Sequence, residues 1–247
     1  MAFRVSSPRT CRPGNSSYGY ASLKFRRTLF RGVIVAVIAF LLLVAPRTRA
    51  RAATRKARKP VTLEVVFHVA DMDGRPVADA AYLDPRLERA NEIFAPLGVV
   101  FARKDLVPLG SEHATIDDVA GRDVLGRDVT RGVINCFVVR TFRDLGDPNI
   151  LRRGVHWHSR TYKGAHFVIL SSRSHDINVL AHELGHFMGN PQHSEVHGNL
   201  MSYDRGEELP VFDEKQSRNI QRALRRYLAS HEVRAMKVAP PLAAAPS

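Results

Sequence analysis

The chain has 247 residues with 37 Lys or Arg against 24 Asp or Glu, a formal net charge of +13. That charge is confined to one end, because residues 1–59 hold 14 basic residues and no acidic one. The remainder carries 23 basic and 24 acidic residues, a net charge of −1, which argues against a nucleic-acid-binding face on the folded part. The length predicts one ordinary domain with appendages. Only Cys11 and Cys136 are present, so no disulfide framework is expected.

The N-terminal arm has the composition of an export signal. A 14-residue apolar run, Gly32 to Ala45, follows a basic stretch that includes Arg26 and Arg27 and ends at Pro46. Such a run is short for a membrane span and typical of a signal-peptide core. We therefore predict a secreted or periplasmic protein, with an uncleaved anchor through residues 32–45 as the alternative.

Four segments follow from this composition. The sequence predicts an export signal or signal anchor at 1–45, a basic linker at 46–60, one folded domain at 61–235 and a disordered tail at 236–247. We expect a monomer, with membrane contact confined to the N-terminal segment.

Within the domain, strand-like and helix-like patterns alternate. Apolar, β-branched runs predict strands, and apolar residues at helical spacing predict helices. In chain order we predict a strand at 61–69, a helix at about 78–97, a strand at 99–102, a polar turn-rich stretch at 104–130, a strand at 131–140, a loop at 141–154, strands at 155–157 and 165–170, a short helix through 182–188 and a last helix at 213–228. Asp176 or Ser174 is expected to cap the short helix. His156, His158 and His166 do not have the spacing of metal ligands, and we interpret them as surface or cleft-rim residues.

The short helix carries the pattern HExxH. His182 and His186 lie one helical turn apart, so both imidazoles can reach one ion. Glu183 lies at the edge between the histidine face and the apolar face, where it can act as a general base towards a metal-activated water. Gly189 suits a left-handed stop that turns the chain back towards the metal. An HExxH pattern alone also fits an ordinary amphipathic helix.

A second segment, Asn199-Leu200-Met201-Ser202-Tyr203, strengthens the interpretation. Together the two segments resemble the metzincin clan of zinc metallopeptidases, with HExxHxxGxx(x)H followed by a Met-turn, here of the Met-x-Tyr form of serralysins and astacins. The resemblance implies an α+β zincin domain: a twisted mixed sheet with a backing helix, a zinc helix, a Met-turn and a C-terminal helix. It also implies that Met201 packs beneath the ligands.

The chain departs from the clan pattern by one inserted residue. The clan's third histidine would fall on Gln192, and an amide is a poor zinc ligand beside imidazoles. A bulge around Asn190 would allow His193 to reach the metal, and we predict His193 as the third ligand, with His197 as the rival.

The resemblance implies a zinc-dependent endopeptidase, a hydrolase acting on protein or peptide substrates with Zn²⁺ as cofactor. Glu183 would be the general base, Tyr203 would stabilise the oxyanion, and the substrate would lie extended against the strand before the zinc helix. Two alternatives from other classes are a zinc-binding interaction domain without catalysis and a membrane-tethered scaffold whose HExxH is accidental. Metal analysis and a peptide-cleavage assay separate the three.

Overall fold

The computed structural model describes residues 59–236. The predicted export signal at 1–45, nearly all of the linker at 46–60 and the tail after Met236 lie outside the described residues. Within residues 59–236, no helix is both long and apolar enough to cross a membrane.

Eight strands and four helices make up the described domain. The strands are β1 (Val61–Met72), β2 (Arg75–Pro76), β3 (Val99–Leu109), β4 (Thr115–Ile116), β5 (Ile134–Val139), β6 (Thr141–Phe142), β7 (Gly154–His158) and β8 (His166–Ser171). The helices are α1 (Ala80–Phe94), α2 (Val119–Val124), α3 (Val179–Phe187) and α4 (Glu214–Ser230), with short 3-10 turns at Ala95–Leu97, Ser111–His113 and Leu125–Asp128.

The main sheet is mixed. Strand β1 pairs in parallel with β3 on one side and β5 on the other, and it pairs antiparallel with β2 at its end. Strand β5 pairs in parallel with β8, and β8 pairs antiparallel with β7. Strand β8, which precedes the HExxH helix, therefore lies between two strands and has no free edge. The edge on this side of the sheet is β7, so the expectation that a substrate pairs with the strand before the zinc helix is wrong in its choice of strand.

Apolar residues cover both faces of this sheet. On one face, the three longest helices pack against the alternate residues Leu63, Val65 and Phe67 of β1. On the other face, a second cluster around Phe137 and Phe167 packs beneath the segment that contains α2. The predicted α+β class, with helices backing a mixed sheet, is confirmed.

Two local predictions are wrong. Strand β3 continues to Leu109, well into the stretch predicted as turns, and α2 follows in the same stretch. As an edge strand, β3 pairs through its backbone with β1 alone and can expose polar side chains such as Lys104, which hides the alternating pattern. The residue at the N-cap of α3 is Asn178, without a side-chain bond to the helix. Asp176 does not cap α3 because its carboxylate accepts from the Asn178 N–H and from Arg205.

Candidate metal centre

Helix α3 is largely buried and apolar, and it carries the two histidines of the HExxH pattern. Leu180, Ala181 and Leu184 are fully buried against the sheet, while His182 is 4% exposed. Position 185 of this helix requires glycine, because a Cβ there would lie 2.6 Å from Met201 Sδ. Met201 is itself fully buried, so it packs against α3 at the turn that separates the two histidines.

The two histidines of α3 point the same nitrogen at each other. His182 Nδ1 lies 2.8 Å from the Leu200 carbonyl oxygen, and His186 Nδ1 lies 2.7 Å from the Asn190 carbonyl oxygen. A carbonyl only accepts, so each Nδ1 carries the proton and each Nε2 carries a lone pair. These two Nε2 atoms are 3.1 Å apart. Two lone pairs facing at this distance repel each other unless a cation lies between them.

His193 completes the group. The chain leaves α3 through Gly189, which has a φ of 91°, and returns so that His193 stacks parallel to His182 with ring centroids 5.3 Å apart. One ring nitrogen from each of the three histidines lies within 4.8 Å of the other two. We call His182, His186 and His193 the helix triad. His197 is not part of it, because its ring is 72% exposed and lies 3.1 Å from the Asp204 carboxylate.

Burial keeps the helix triad in the neutral form that a metal requires. Burial lowers the pKa of His182 to about 3 and that of His186 to about 4, and the pKa of His193 is lowered for the same reason. All three imidazoles are therefore uncharged at neutral pH. Imidazole nitrogens suit zinc and neighbouring transition metals, whereas calcium and magnesium prefer oxygen ligands.

Glu183 is held beside the triad with one oxygen unpartnered. Its side chain is buried, and its Oε2 has no hydrogen-bond partner within the described residues. Burial raises the pKa of the carboxyl to about 8. The side chain fits against β7 because residue 154 is glycine, where a Cβ would lie 2.7 Å from the Glu183 carboxylate. Such a carboxylate is suited to hold a polar group that enters the site.

A hydrogen-bonded network fixes the loop that carries Met201. The Asn199 side chain accepts from the Met201 N–H at 2.8 Å and donates to Gln216 Oε1 at 2.9 Å. Gln216 is also part of the capping box of α4, where Asp213 is the N-cap. The Asn190 side chain donates to the Gln216 carbonyl oxygen, so both carbonyls that hold the helix triad belong to segments tied to the start of α4.

The helix triad opens into a cleft of about 830 Å³. One wall is β7 and the loop before it, which exposes the apolar side chains of Leu145, Ile150 and Leu151. Tyr203 stands at the mouth, 71% exposed, with its ring stacked on His193 at 4.5 Å between centroids. A cleft of this volume with an exposed apolar wall can hold a segment of chain and not only a small polar molecule.

A largely buried ion pair beside the triad was not predicted from the sequence. Arg205 Nη1 lies 2.7 Å from Asp176 Oδ2, and the two side chains are only 12% and 14% exposed. Arg205 also donates at 3.0 Å to the Leu200 carbonyl, the acceptor that holds His182. This pair joins the turn after Met201 to the segment before α3. The pairing joins positions 29 apart in sequence, so no local motif marks it.

Sequence reasoning also misjudged His156, His158 and His166. One ring nitrogen from each lies within 4.8 Å of the other two, which is a second group with the spacing of metal ligands. We call these three the strand triad, since they lie on β7 and β8. An H-x-H pattern on one strand and a histidine on the next was the available signal. His156 and His158 do line the cleft, as the cleft-rim interpretation proposed.

Comparisons with known proteins agree with this architecture. No protein-family description matches the sequence, and no curated protein matches it. Among solved structures, the chain is similar to mature mirolysin of Tannerella forsythia in complex with a cleaved peptide, at 13% identity and a TM-score of 0.50, over 71% of this chain and 99% of that one. A second mirolysin structure, in complex with a small compound, gives the same values.

Metalloproteinase-II of Bacteroides fragilis is similar over 68% of this chain at 14% identity and a TM-score of 0.48, and this chain spans 55% of its length. The similarity to the two mirolysin structures shows that the described domain shares their α+β fold.

Proposed function

We propose that the protein is an exported zinc metalloendopeptidase of the metzincin type, with Zn²⁺ held by His182, His186 and His193. The observation that carries the proposal is the pair of Nε2 lone pairs facing each other at 3.1 Å, next to the unpartnered buried oxygen of Glu183. In a tetrahedral zinc site with bonds of about 2.0–2.1 Å, two ligand nitrogens lie roughly 3.3 Å apart. The His182–His186 pair therefore fits zinc after a movement of a few tenths of an ångström, and the His193 ring nitrogen lies within 4.8 Å of both.

In the proposed hydrolysis of a peptide bond, the metal and Glu183 have different roles. When bound, Zn²⁺ supplies a Lewis acid that lowers the pKa of a water and polarises the scissile carbonyl. Glu183 accepts a proton from the attacking water and passes it to the leaving amine. A cation in the triad offsets the burial that raises the pKa of Glu183, so the carboxylate form becomes available near neutral pH.

Two further features would bind and orient the substrate. The hydroxyl of Tyr203 would donate a hydrogen bond to the carbonyl oxygen as that oxygen gains charge. The free edge of β7 offers backbone groups to an extended peptide, in the manner of strand addition. The exposed Leu145, Ile150 and Leu151 would contact apolar side chains of that peptide. A cleaved peptide is bound in the mirolysin structure, which supports a peptide as substrate.

Export is proposed from the sequence alone. The apolar run Gly32 to Ala45 behind a basic stretch supports it, and the protein would be secreted or periplasmic, or retained through residues 32–45. N-terminal sequencing of the protein from the producing cell tests it. A first residue between about 46 and 60 supports cleavage, whereas residue 1 intact in the membrane fraction supports the anchor.

The activity is tested by peptide cleavage with the full chain. We expect cleavage of an unstructured protein substrate that stops with a chelator and returns with zinc. Glu183→Gln keeps the volume of the side chain and the triad, so zinc should remain bound while the rate falls by about 10²–10⁴ or more. Zinc binding with no cleavage of any substrate by the wild type would instead favour the non-catalytic interaction domain. Cleavage by Glu183→Gln at the wild-type rate would overturn the assignment of the base.

A further inference from the structure

We propose that the strand triad, His156, His158 and His166, is a second binding site for a divalent transition-metal ion of the zinc class. It shares no residue with the helix triad, although His156 and His158 line the same cleft, and its His166 stacks on Phe187, the last residue of α3. The site would join the edge strand β7 to β8 and to the segment that follows α4.

The register of the two strands brings the rings together. His158 lies directly opposite His166 in the antiparallel pair, and His156 is two residues before His158. Side chains two apart on a strand share a face, so all three rings project from the same face of the sheet. His156 Nε2 lies 2.9 Å from His166 Nδ1, and the rings of His158 and His166 stack with centroids 5.1 Å apart.

Glu232 orients the central ring. Its carboxylate contacts His166 Nε2, so that nitrogen carries the proton. The lone pair of neutral His166 then lies on Nδ1, which faces His156. Histidine ligands of metal sites commonly give their other N–H to a carboxylate in this way, which fixes the tautomer and increases the basicity of the ligating nitrogen.

The strand triad is enclosed by aromatic rings on one side and open to solvent on the other. Phe187 stacks on His166 at 4.4 Å between centroids, and Tyr227 lies 5.7 Å from the same ring. His156 is buried enough that its pKa is lowered to about 2, so it is a neutral ligand. His158 is exposed and gives access from solvent. Three imidazoles and an open side leave a fourth position for water.

Hydrogen bonding alone accounts for only part of this arrangement. A chain from His156 to His166 to Glu232 satisfies two of the three histidines. It gives no role to His158, for which no hydrogen bond is present among residues 59–236 although its ring closes the group. A set of three imidazole nitrogens favours zinc, copper or nickel over calcium or magnesium.

Metal analysis of a variant without the helix triad tests the proposal independently of peptidase function. The probe is Zn²⁺, measured by equilibrium dialysis on the full chain carrying His182→Ala and His186→Ala. We expect one zinc per chain in this variant and two in the wild type. Adding His158→Ala should remove the remaining zinc, while adding His175→Ala, an exposed histidine outside both triads, should not. One zinc in the wild type together with none in the helix-triad variant would overturn the proposal.

Glu232→Gln separates orientation of the ligand from general stability. Losing the carboxylate should weaken zinc binding at the strand triad by about 10- to 100-fold. The melting temperature of the metal-free variant should stay near that of the wild type, because the exposed glutamine can still accept a hydrogen bond from His166. An unchanged zinc affinity would contradict the role given to Glu232. If the helix-triad variant does not fold, the wild-type stoichiometry decides: two zinc ions per chain support the second site, and one rejects it. A wild type that binds two zinc ions but cleaves nothing would keep this site and reject only the peptidase.

Discussion

The two histidine triads lie near each other but are supported in different ways. In the helix triad, the Nδ1 atoms of two rings are held by uncharged backbone carbonyls, those of Leu200 and Asn190. In the strand triad, the central ring His166 is held by the carboxylate of Glu232. Both kinds of partner fix which ring nitrogen carries the proton. A carboxylate also increases the basicity of the nitrogen that faces the metal more than an uncharged carbonyl does.

Acid should destabilise the metal-free chain through both triads. Burial lowers the pKa of His182 to about 3, that of His186 to about 4 and that of His156 to about 2, all below the ordinary value of 6.5. Below pH 6.5 the unfolded chain takes up protons at these histidines that the folded chain does not, so their contribution to stability falls with falling pH. Glu183, whose pKa is raised from 4.5 to about 8, acts in the opposite direction between those values and offsets about one histidine. Each histidine contributes up to about 1.4 kcal/mol per pH unit.

Urea unfolding between pH 7 and 4.5, in the presence of a chelator, measures this effect. His186→Phe should flatten the pH dependence through the helix triad, and His156→Phe should do so through the strand triad. His175→Ala serves as the exposed control and should leave the slope unchanged. If the strand-triad variant alone has no effect on the slope, only the helix triad is buried in the way described.

Replacing Arg205, the largely buried arginine beside the helix triad, should have the next largest effect on stability. Arg205→Met leaves Asp176 buried without its partner and frees the Leu200 carbonyl. We expect a loss of about 3–5 kcal/mol in the free energy of unfolding. The control is Arg218→Met, in an exposed pair with Glu214, where the change should stay within about 0.5 kcal/mol. Equal losses in the two variants would show that the buried pair does not support the site.

A methyl group on β7 should displace Glu183, the proposed general base, without contacting either triad. In Gly154→Ala the new Cβ would lie 2.7 Å from the Glu183 carboxylate and 2.9 Å from Val179. Displacing the base by about 1 Å can cost roughly a hundredfold in rate. We expect kcat to fall by about that factor with the zinc content unchanged. The double variant with Glu183→Gln should be no slower than Glu183→Gln alone, because both changes act on the same group. A further additive loss would show that Gly154 acts elsewhere.

The smallest effect is expected for Tyr203→Phe. The hydroxyl is one donor on an exposed ring, so its loss should lower kcat by roughly tenfold to a hundredfold, at or below the range for a well-placed oxyanion donor. The stacking of the ring on His193 remains, so zinc affinity should not change. Wild-type kcat with weakened zinc binding would assign Tyr203 to support of the ligand and not to the reaction.

The helix triad was accessible from sequence because its spacing is local. A helix places positions four apart on one side, so His182 and His186 can be paired without knowledge of the fold. The α+β class could be predicted for a similar reason, because helices and strands each give a characteristic spacing of apolar residues in the local sequence. The reach of His193 past Gly189 depended on chain length alone.

The strand triad was harder to predict from sequence, because its H-x-H pattern forms a group of three only through strand pairing. His156 and His158 share a face only if residues 154–158 form a strand, and His166 joins them only in the observed register. A shift of one residue would turn His166 away. The ion pair of Arg205 with Asp176 and the contact of Glu232 with His166 likewise join segments that meet only after the domain folds.

The link between Asn199 and Gln216 has a consequence for synthesis. The Met201 loop is held by a residue that also caps α4, so its geometry depends on a helix that ends at Ser230. A ribosome that has released only the chain up to α3 has exposed the ligands His182 and His186 but not the brace that orients them. The geometry of the proposed metal site is therefore complete only after the last helix has been synthesised and has folded.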